Sequence, residues 1–216
     1  MKHFLTLSDR ALLDKRIREV EAETGAQVVL ATTKRCDSYA EIPWKAFSLG
    51  ASLRALMVLV SFFAVPVWVT DYAIIFAVTS ILTGGIIFAL LTVLFPGFAR
   101  LFLSSHRKET ETLQYAEALF LSHELFSTKK RKGILLLVSQ FERQVVILPD
   151  VGVRDKLSPG AMNEIISKMV KKLKKNELGS ALEVGLDEIQ ASLSLPEEMK
   201  TGTDELPNEI IEEGQP

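Results

Sequence analysis

Two uninterrupted apolar runs in the middle of the chain constrain everything around them. The first is Ala55 to Val69; after Thr70 and Asp71 comes the second, Tyr72 to Phe95, 24 residues without a charge. At ~1.5 Å of rise per residue, the second run covers a hydrocarbon core ~30 Å thick. The first reaches that length by including Leu49 to Leu53, with Arg54 near the interface, where a long arginine stem can snorkel. The expectation is a transmembrane hairpin, with spans at about 49–69 and 72–95, inside a segment covering residues 45–104. The alternative is a buried helix pair, which runs of this length and apolarity disfavour.

The rest is enough for one ordinary soluble domain, in two parts: residues 1–44 and 105–195. Residues 196–216 hold seven acids and one lysine, leaving 24 bases and 20 acids elsewhere, so the net −2 hides a mildly basic body and an acidic tail. The tail is poor in aromatics and is expected to be disordered. The opening MKHFLTLSDR has no apolar stretch of the kind a cleaved signal needs. The single cysteine, Cys36, cannot form an internal disulfide and fits a reducing compartment. Lys45 and Arg54 precede the hairpin, Arg100, Arg107 and Lys108 follow it, and the loop between the spans offers only Asp71. The positive-inside rule then gives a multi-pass protein of the cell membrane with both termini cytoplasmic.

Local signals order the soluble parts. Ser8 reads as a helix N-cap, and Leu12, Leu13, Ile17 and Val20 follow at helical spacing. Gly25 fits a left-handed C-terminal cap. Ala26 to Thr32 is a buried strand, and Thr33 to Ser48 a polar approach to the membrane broken by Pro43. A helix over Glu109 to Phe126 should bury Leu113, Ala116, Leu119, Phe120, His123 and Phe126. Ile134 to Val138 and Gln144 to Leu148 should pair as an antiparallel hairpin across a short turn. Ser158-Pro159 opens a helix with cap and N1 proline in order, and a last helix begins near Ser180 and stops at Pro196. The expected class is α/β: a small α/β/α sandwich around a short mixed sheet, with the transmembrane hairpin inserted in the crossover between two parallel strands.

LSDRALLDKRIREVEAETGAQVVLATT at 7–33, YAEALF at 115–120 and KGILLLVSQFERQVVILPDVGV at 132–153 together resemble the TPM domain, the family also called TPM phosphatase. The resemblance covers nearly the whole soluble part. It implies an α/β sandwich, a loop after the third strand that binds a divalent cation such as calcium and, for some members, acid phosphatase activity; other members assist membrane complexes. The family loop resembles G-Y-G-L-E-G-x-L-T-D. Here the second family glycine maps to Gly152, the acid after L-T is replaced by Pro159, and Arg154 and Lys156 add positive charge. A hard cation wants six or more oxygens, several anionic, so the metal ligands available, Asp150 and Asp155, make a poor cage.

No Walker A, G-x-G-x-x-G, H-E-x-x-H, C-x-x-C or G-x-S-x-G motif occurs. His123 lacks a partner at helical spacing for a zinc site. The starts of the first two strands and the end of the third should share one sheet edge, distal to the membrane. That edge collects the expected ligand-binding residues Glu23, Asp150, Gly152 and Asp155, beside Thr24, Lys132 and Gly133. The catalytic candidates are Asp150 as nucleophile or ligand, Lys132 on a phosphate, and Arg143 through guanidinium geometry; against them stands a solvated loop edge with a salt bridge. Lys171, Lys172, Lys174 and Lys175, with Arg54 and Arg100, are the basic residues expected near the membrane; for the lysines a helix-dipole role competes with headgroup binding. The basic clusters lack interleaved aromatics, which argues against nucleic acid. Two functions stand: a membrane-anchored interaction module serving a membrane-protein complex, and a membrane-tethered, metal-assisted phosphatase acting on a soluble substrate.

Overall fold

The computed structural model describes residues 5–64, 71–193 and 210–213. Packing divides the chain into two units, Met1–Cys36 with Glu109–Pro216, and Asp37–Lys108.

The first unit is built on α1 (Leu7–Thr24), β1 (Gln27–Thr33), β2 (Gly133–Ser139), β3 (Gln144–Pro149), α6 (Pro159–Leu173), α7 (Leu178–Leu193) and β4 (Ile210–Glu213). The helix Ser105–Ser122, here α5, enters it from the second unit, whose own helices are α2 (Glu41–Ala64), α3 (Asp71–Leu94) and the single turn α4 (Pro96–Ala99). The sheet order is β3-β2-β1-β4. β1 and β2 are parallel from Gln27↔Gly133 to Thr33↔Ser139, and β2 and β3 antiparallel from Ile134↔Pro149 to Ser139↔Gln144. This is the expected mixed sheet.

Alternation along the strands sorts the core into two layers. Val28, Leu30, Ile134, Leu136, Val145 and Ile147 face α1, α6 and α7. Val29, Ala31, Leu135 and Leu137 face Ala116, Leu119 and Phe120 of α5. Every residue of β1 and β2 is buried, as strands covered on both faces must be. β3 alternates buried with half-buried positions and forms one edge.

The boundaries depart from expectation in instructive ways. The N-cap of α1 is Thr6 rather than Ser8: its hydroxyl accepts from the N–H of Asp9, whose carboxylate returns to the N–H of Thr6, a reciprocal capping box. Leu12 therefore stands 50 % exposed while Leu13, Ile17 and Val20 are buried. Gly25 is left-handed at φ 63°, as read. α5 ends at Ser122, a short 3₁₀ turn takes Leu125–Ser127, and Thr112 rather than Leu113 joins the buried face. α2 begins at Glu41, eight residues before the expected span, because Pro43 falls in its first turn, where no intrahelical N–H donor is needed. Pro196 and residues 65–70 lie outside the described residues.

Of the tail, Ile210–Glu213 is described: it pairs in parallel with β1, Leu30↔Ile210 to Thr33↔Glu213. Ile210 packs into one core layer and Ile211 into the other. Arg10 of α1 clamps Glu212 through Nε (3.2 Å) and a second guanidinium nitrogen (2.6 Å). Deleting residues 194–216 removes these contacts. It is expected to lower the stability of the first unit by about 1–2 kcal/mol, from the apolar area re-exposed, read by chemical denaturation of the full chain against the truncation.

In the second unit, α2 and α3 are two 24-residue helices, each long and apolar enough to cross a membrane. Their large apolar side chains point outward: Phe63 is 86 % exposed and Phe76 71 %. A helix pair serving as a soluble core would bury such side chains. At one end of the pair, Arg107 bridges Asp37 (3.1 Å) and Glu41 (3.0 Å).

Candidate functional site

The β1–β2–β3 register brings one edge of the first unit together. The N–H of Gln27 donates to the carbonyl of Lys132 (3.1 Å), and that of Asp150 to the carbonyl of Gly133 (2.8 Å). The starts of β1 and β2 and the end of β3 thus meet, as the sequence implied. A Cβ added at Gly25 would come within 3.9 Å of the Lys132 Nζ, so this lysine reaches across to the end of α1.

Asp150 is the centre of the edge, and it is taken. Its side chain is 4 % exposed, and Arg131 holds both its oxygens, Nε at 2.8 Å and a terminal nitrogen at 2.9 Å. The N–H of Val151 also donates to Oδ1 (2.7 Å). This forked geometry is the strong form of a guanidinium–carboxylate pair. Arg131 sits at a left-handed φ of 53° and its carbonyl accepts the N–H of Gly152 at 2.8 Å, which locks the turn before β2 onto the turn after β3. Arg131 was the residue missed in the sequence, where it was one base among four.

The donor set does not fit a divalent cation. Asp150 spends its oxygens on a cation the chain supplies, and Asp155 is exposed in the turn that follows. Among the described residues no three His, Cys, Asp or Glu side chains group to hold a metal.

The remaining candidates divide. Lys132 belongs to the edge, and its ammonium pKa is lowered, first by burial and then by Lys130 and Lys156 nearby. The edge is therefore cationic. Glu23 is exposed and accepts a hydrogen bond from the Gln190 amide on α7, so it braces two helices instead of facing Asp150. Gly152 is where the two turns touch: a Cβ there would meet the carbonyl oxygen of Lys130 at 2.2 Å. Arg143 is exposed at φ 54° in the β2–β3 turn, at the opposite end of β3, about 20 Å from Asp150. Lys171 and Lys172 lie in the last turn of α6 and Lys174 caps it, where a helix dipole favours cations; Lys172 is 3.5 Å from Glu177.

At the other end of the sheet another buried acid went unnoticed in the sequence. Glu142 is 2 % exposed. It accepts the N–H of Cys36 (2.9 Å) and the hydroxyl of Ser139, tying the exit of β1 to the β2–β3 turn. Cys36 is itself buried, and desolvation pushes its thiol up to about 11, against a smaller opposing hydrogen bond from Ser139. The neutral thiol is thus favoured by folding up to that pH. Cys36 is expected to resist a thiol-specific reagent at pH 8 in the folded chain and to react fully after denaturation. Fast labelling of the native chain would contradict this placement.

Comparison with known proteins agrees with the geometry. Residues 101–192 match the model of the TPM domain. The NMR structure of BA42 protein from the psychrophilic bacterium Bizionia argentinensis is similar over 99 % of this chain and 98 % of that one, at a TM-score of 0.56 and 14 % identity, which speaks to the fold. No curated protein matches.

Proposed function

We propose that this chain is a membrane-anchored TPM-domain interaction module that assists or regulates a membrane-associated protein complex, with the domain at the cytoplasmic face. One observation carries the choice over catalysis. Arg131 occupies both oxygens of Asp150, and the other buried acid beside that edge, Glu21, accepts the N–H of Val28 at 2.9 Å. A carboxylate held this way is neither an open metal ligand nor a ready nucleophile. The edge then presents cations, Lys130, Lys132 and Lys156, suited to an acidic segment of a partner. Two 24-residue apolar helices with outward-facing side chains support the anchoring.

The test is chemical cross-linking in native membranes, comparing wild type with a Lys130→Glu, Lys132→Glu, Lys156→Glu triple variant. The module reading expects reproducible membrane-protein adducts with wild type and at least a tenfold loss with the charge-reversed edge. Adducts indifferent to the reversal would move docking off this edge. No adducts at all would sink the module reading.

The runner-up is a membrane-tethered phosphatase. The lysines favour an anionic ligand equally well, and Lys132 is placed to hold a phosphate. Against it, Arg131 holds both oxygens of Asp150, the candidate nucleophile.

A further inference from the structure

Among the described residues of α2 and α3, Arg54 has no carboxylate paired with it. Close contacts set the register of the α2–α3 pair. A Cβ on Gly50 would fall 2.6 Å from the carbonyl oxygen of Gly84, and one on Gly85 2.6 Å from the Phe47 ring. One turn further, the Arg54 stem packs on Gly84 and its Nε donates to the Ser80 hydroxyl at 2.5 Å. Antiparallel and in this register, Glu41 stands level with the end of α3 at Leu94, and Ala64 with its start at Asp71. About 20 Å of helix separates Arg54 from Glu41 and about 15 Å separates it from Ala64. The sequence placed Arg54 near the interface; the earlier start of α2 moves it to the middle of the helix pair. Snorkelling serves residues near helix ends, and here the guanidinium is turned toward the neighbouring helix.

No acid of the hairpin answers it. Between residues 37 and 108 the acids are Asp37, Glu41 and Asp71. The first two are bridged by Arg107 at one end of the pair. Asp71 opens α3, about 13 Å of helix from Ser80. Beside Arg54 runs a groove whose lining includes Phe76, Thr79, Ser80, Thr83 and Phe88. Hydroxyl-bearing side chains share its mainly apolar lining with Phe76, Ile87 and Phe88.

We infer that this groove is a docking site for a transmembrane helix of a partner protein carrying an aspartate or glutamate near its midpoint, with Arg54 as the ion-pair anchor. The inference rests on the membrane reading above. Charge complementarity selects the occupant, because a mid-membrane cation is stabilised by a carboxylate delivered at the same depth. A second copy of this chain would bring a second arginine and no acid at that level. The Thr79 side chain lines the groove beside the cation, and the Thr83 hydroxyl donates to the Thr79 carbonyl at 2.7 Å.

The experiment uses the full chain in phosphatidylcholine nanodiscs and a labelled poly-leucine transmembrane peptide bearing Glu, Gln or Leu at its midpoint, with association read by energy transfer. The Glu peptide should bind about tenfold more tightly than the Leu peptide. Arg54→Leu should erase the difference, Arg54→Lys should keep most of it, and moving the Glu toward the peptide end should erase it with wild type unchanged. Equal binding of the Glu and Leu peptides to inserted wild type would overturn the inference, as would a preference that survives Arg54→Leu. Loss of the preference when phosphatidylserine is added would assign Arg54 to lipid headgroups and also overturn it. Insertion is scored separately by resistance to alkaline extraction: a chain that is extracted fails the membrane reading itself, whereas an inserted chain without the preference fails only the docking site.

Discussion

Replacing Arg131 with alanine is expected to destabilise the domain by about 3 kcal/mol, because it leaves a buried carboxylate without its counter-charge. Asp150 is 4 % exposed while Arg131 is 53 % exposed, so the two deletions are not symmetric. Without Asp150 the guanidinium can turn to water. Asp150→Ala should therefore cost less, about 1–2 kcal/mol, mostly for the Val151 N–H that it also caps. The double variant should lie near Asp150→Ala alone, well short of the sum, since the second deletion removes what the first left stranded. In thermal unfolding the Arg131 single variant should melt about 6–10 °C lower. Equal effects for the two single variants would mean that the pair is a surface ion pair and that the loop is less enclosed than its geometry indicates.

Gly152→Ala should cost a similar amount by a different route. The new methyl would sit 2.2 Å from the carbonyl oxygen of Lys130 and 2.6 Å from that of Arg131. Both obstacles are backbone, so no side-chain rotation relieves them. The two turns must separate, the Gly152–Arg131 hydrogen bond lengthens, and the fork on Asp150 opens with it. Overpacking against backbone is expected to cost about 3 kcal/mol, at the upper end for such changes. Gly160→Ala supplies the contrast. Its Cβ would meet nothing nearer than the Ser158 Oγ at 3.9 Å, in the first turn of α6. That substitution should stay within about 0.5 kcal/mol of wild type. The two variants, compared by denaturant unfolding, separate a close approach from a generic loss of glycine.

The sheet was readable because its signals are local. Gln27–Thr33 and Gly133–Ser139 are dense β-branched and aliphatic runs, and Gly25 announces the end of α1 by its left-handed backbone. A short turn between β2 and β3 fixes their antiparallel pairing, and that register alone put Lys132, Gly133 and Asp150 on one edge. Partnerships that cross the fold were not readable. Arg131 and Asp150 lie 19 residues apart and meet only once the register is known. Ile210–Glu213 is a four-residue strand in an acidic tail, and its reason to order is the open edge of β1 and the guanidinium of Arg10, neither visible locally. Pro43 misled in the other direction: it reads as a breaker, yet a first helical turn accepts it, and the early start of α2 is what carries Arg54 to mid-helix.

The most direct measurement is turnover of p-nitrophenyl phosphate by the full chain in nanodiscs, with and without calcium or magnesium. A domain whose central acid is closed by its own arginine should release no product above an empty-disc blank. Asp150→Ala and Asp155→Ala should change nothing. Sustained turnover abolished by both substitutions would contradict the account, because it would require Asp150 to leave Arg131 and act on a ligand.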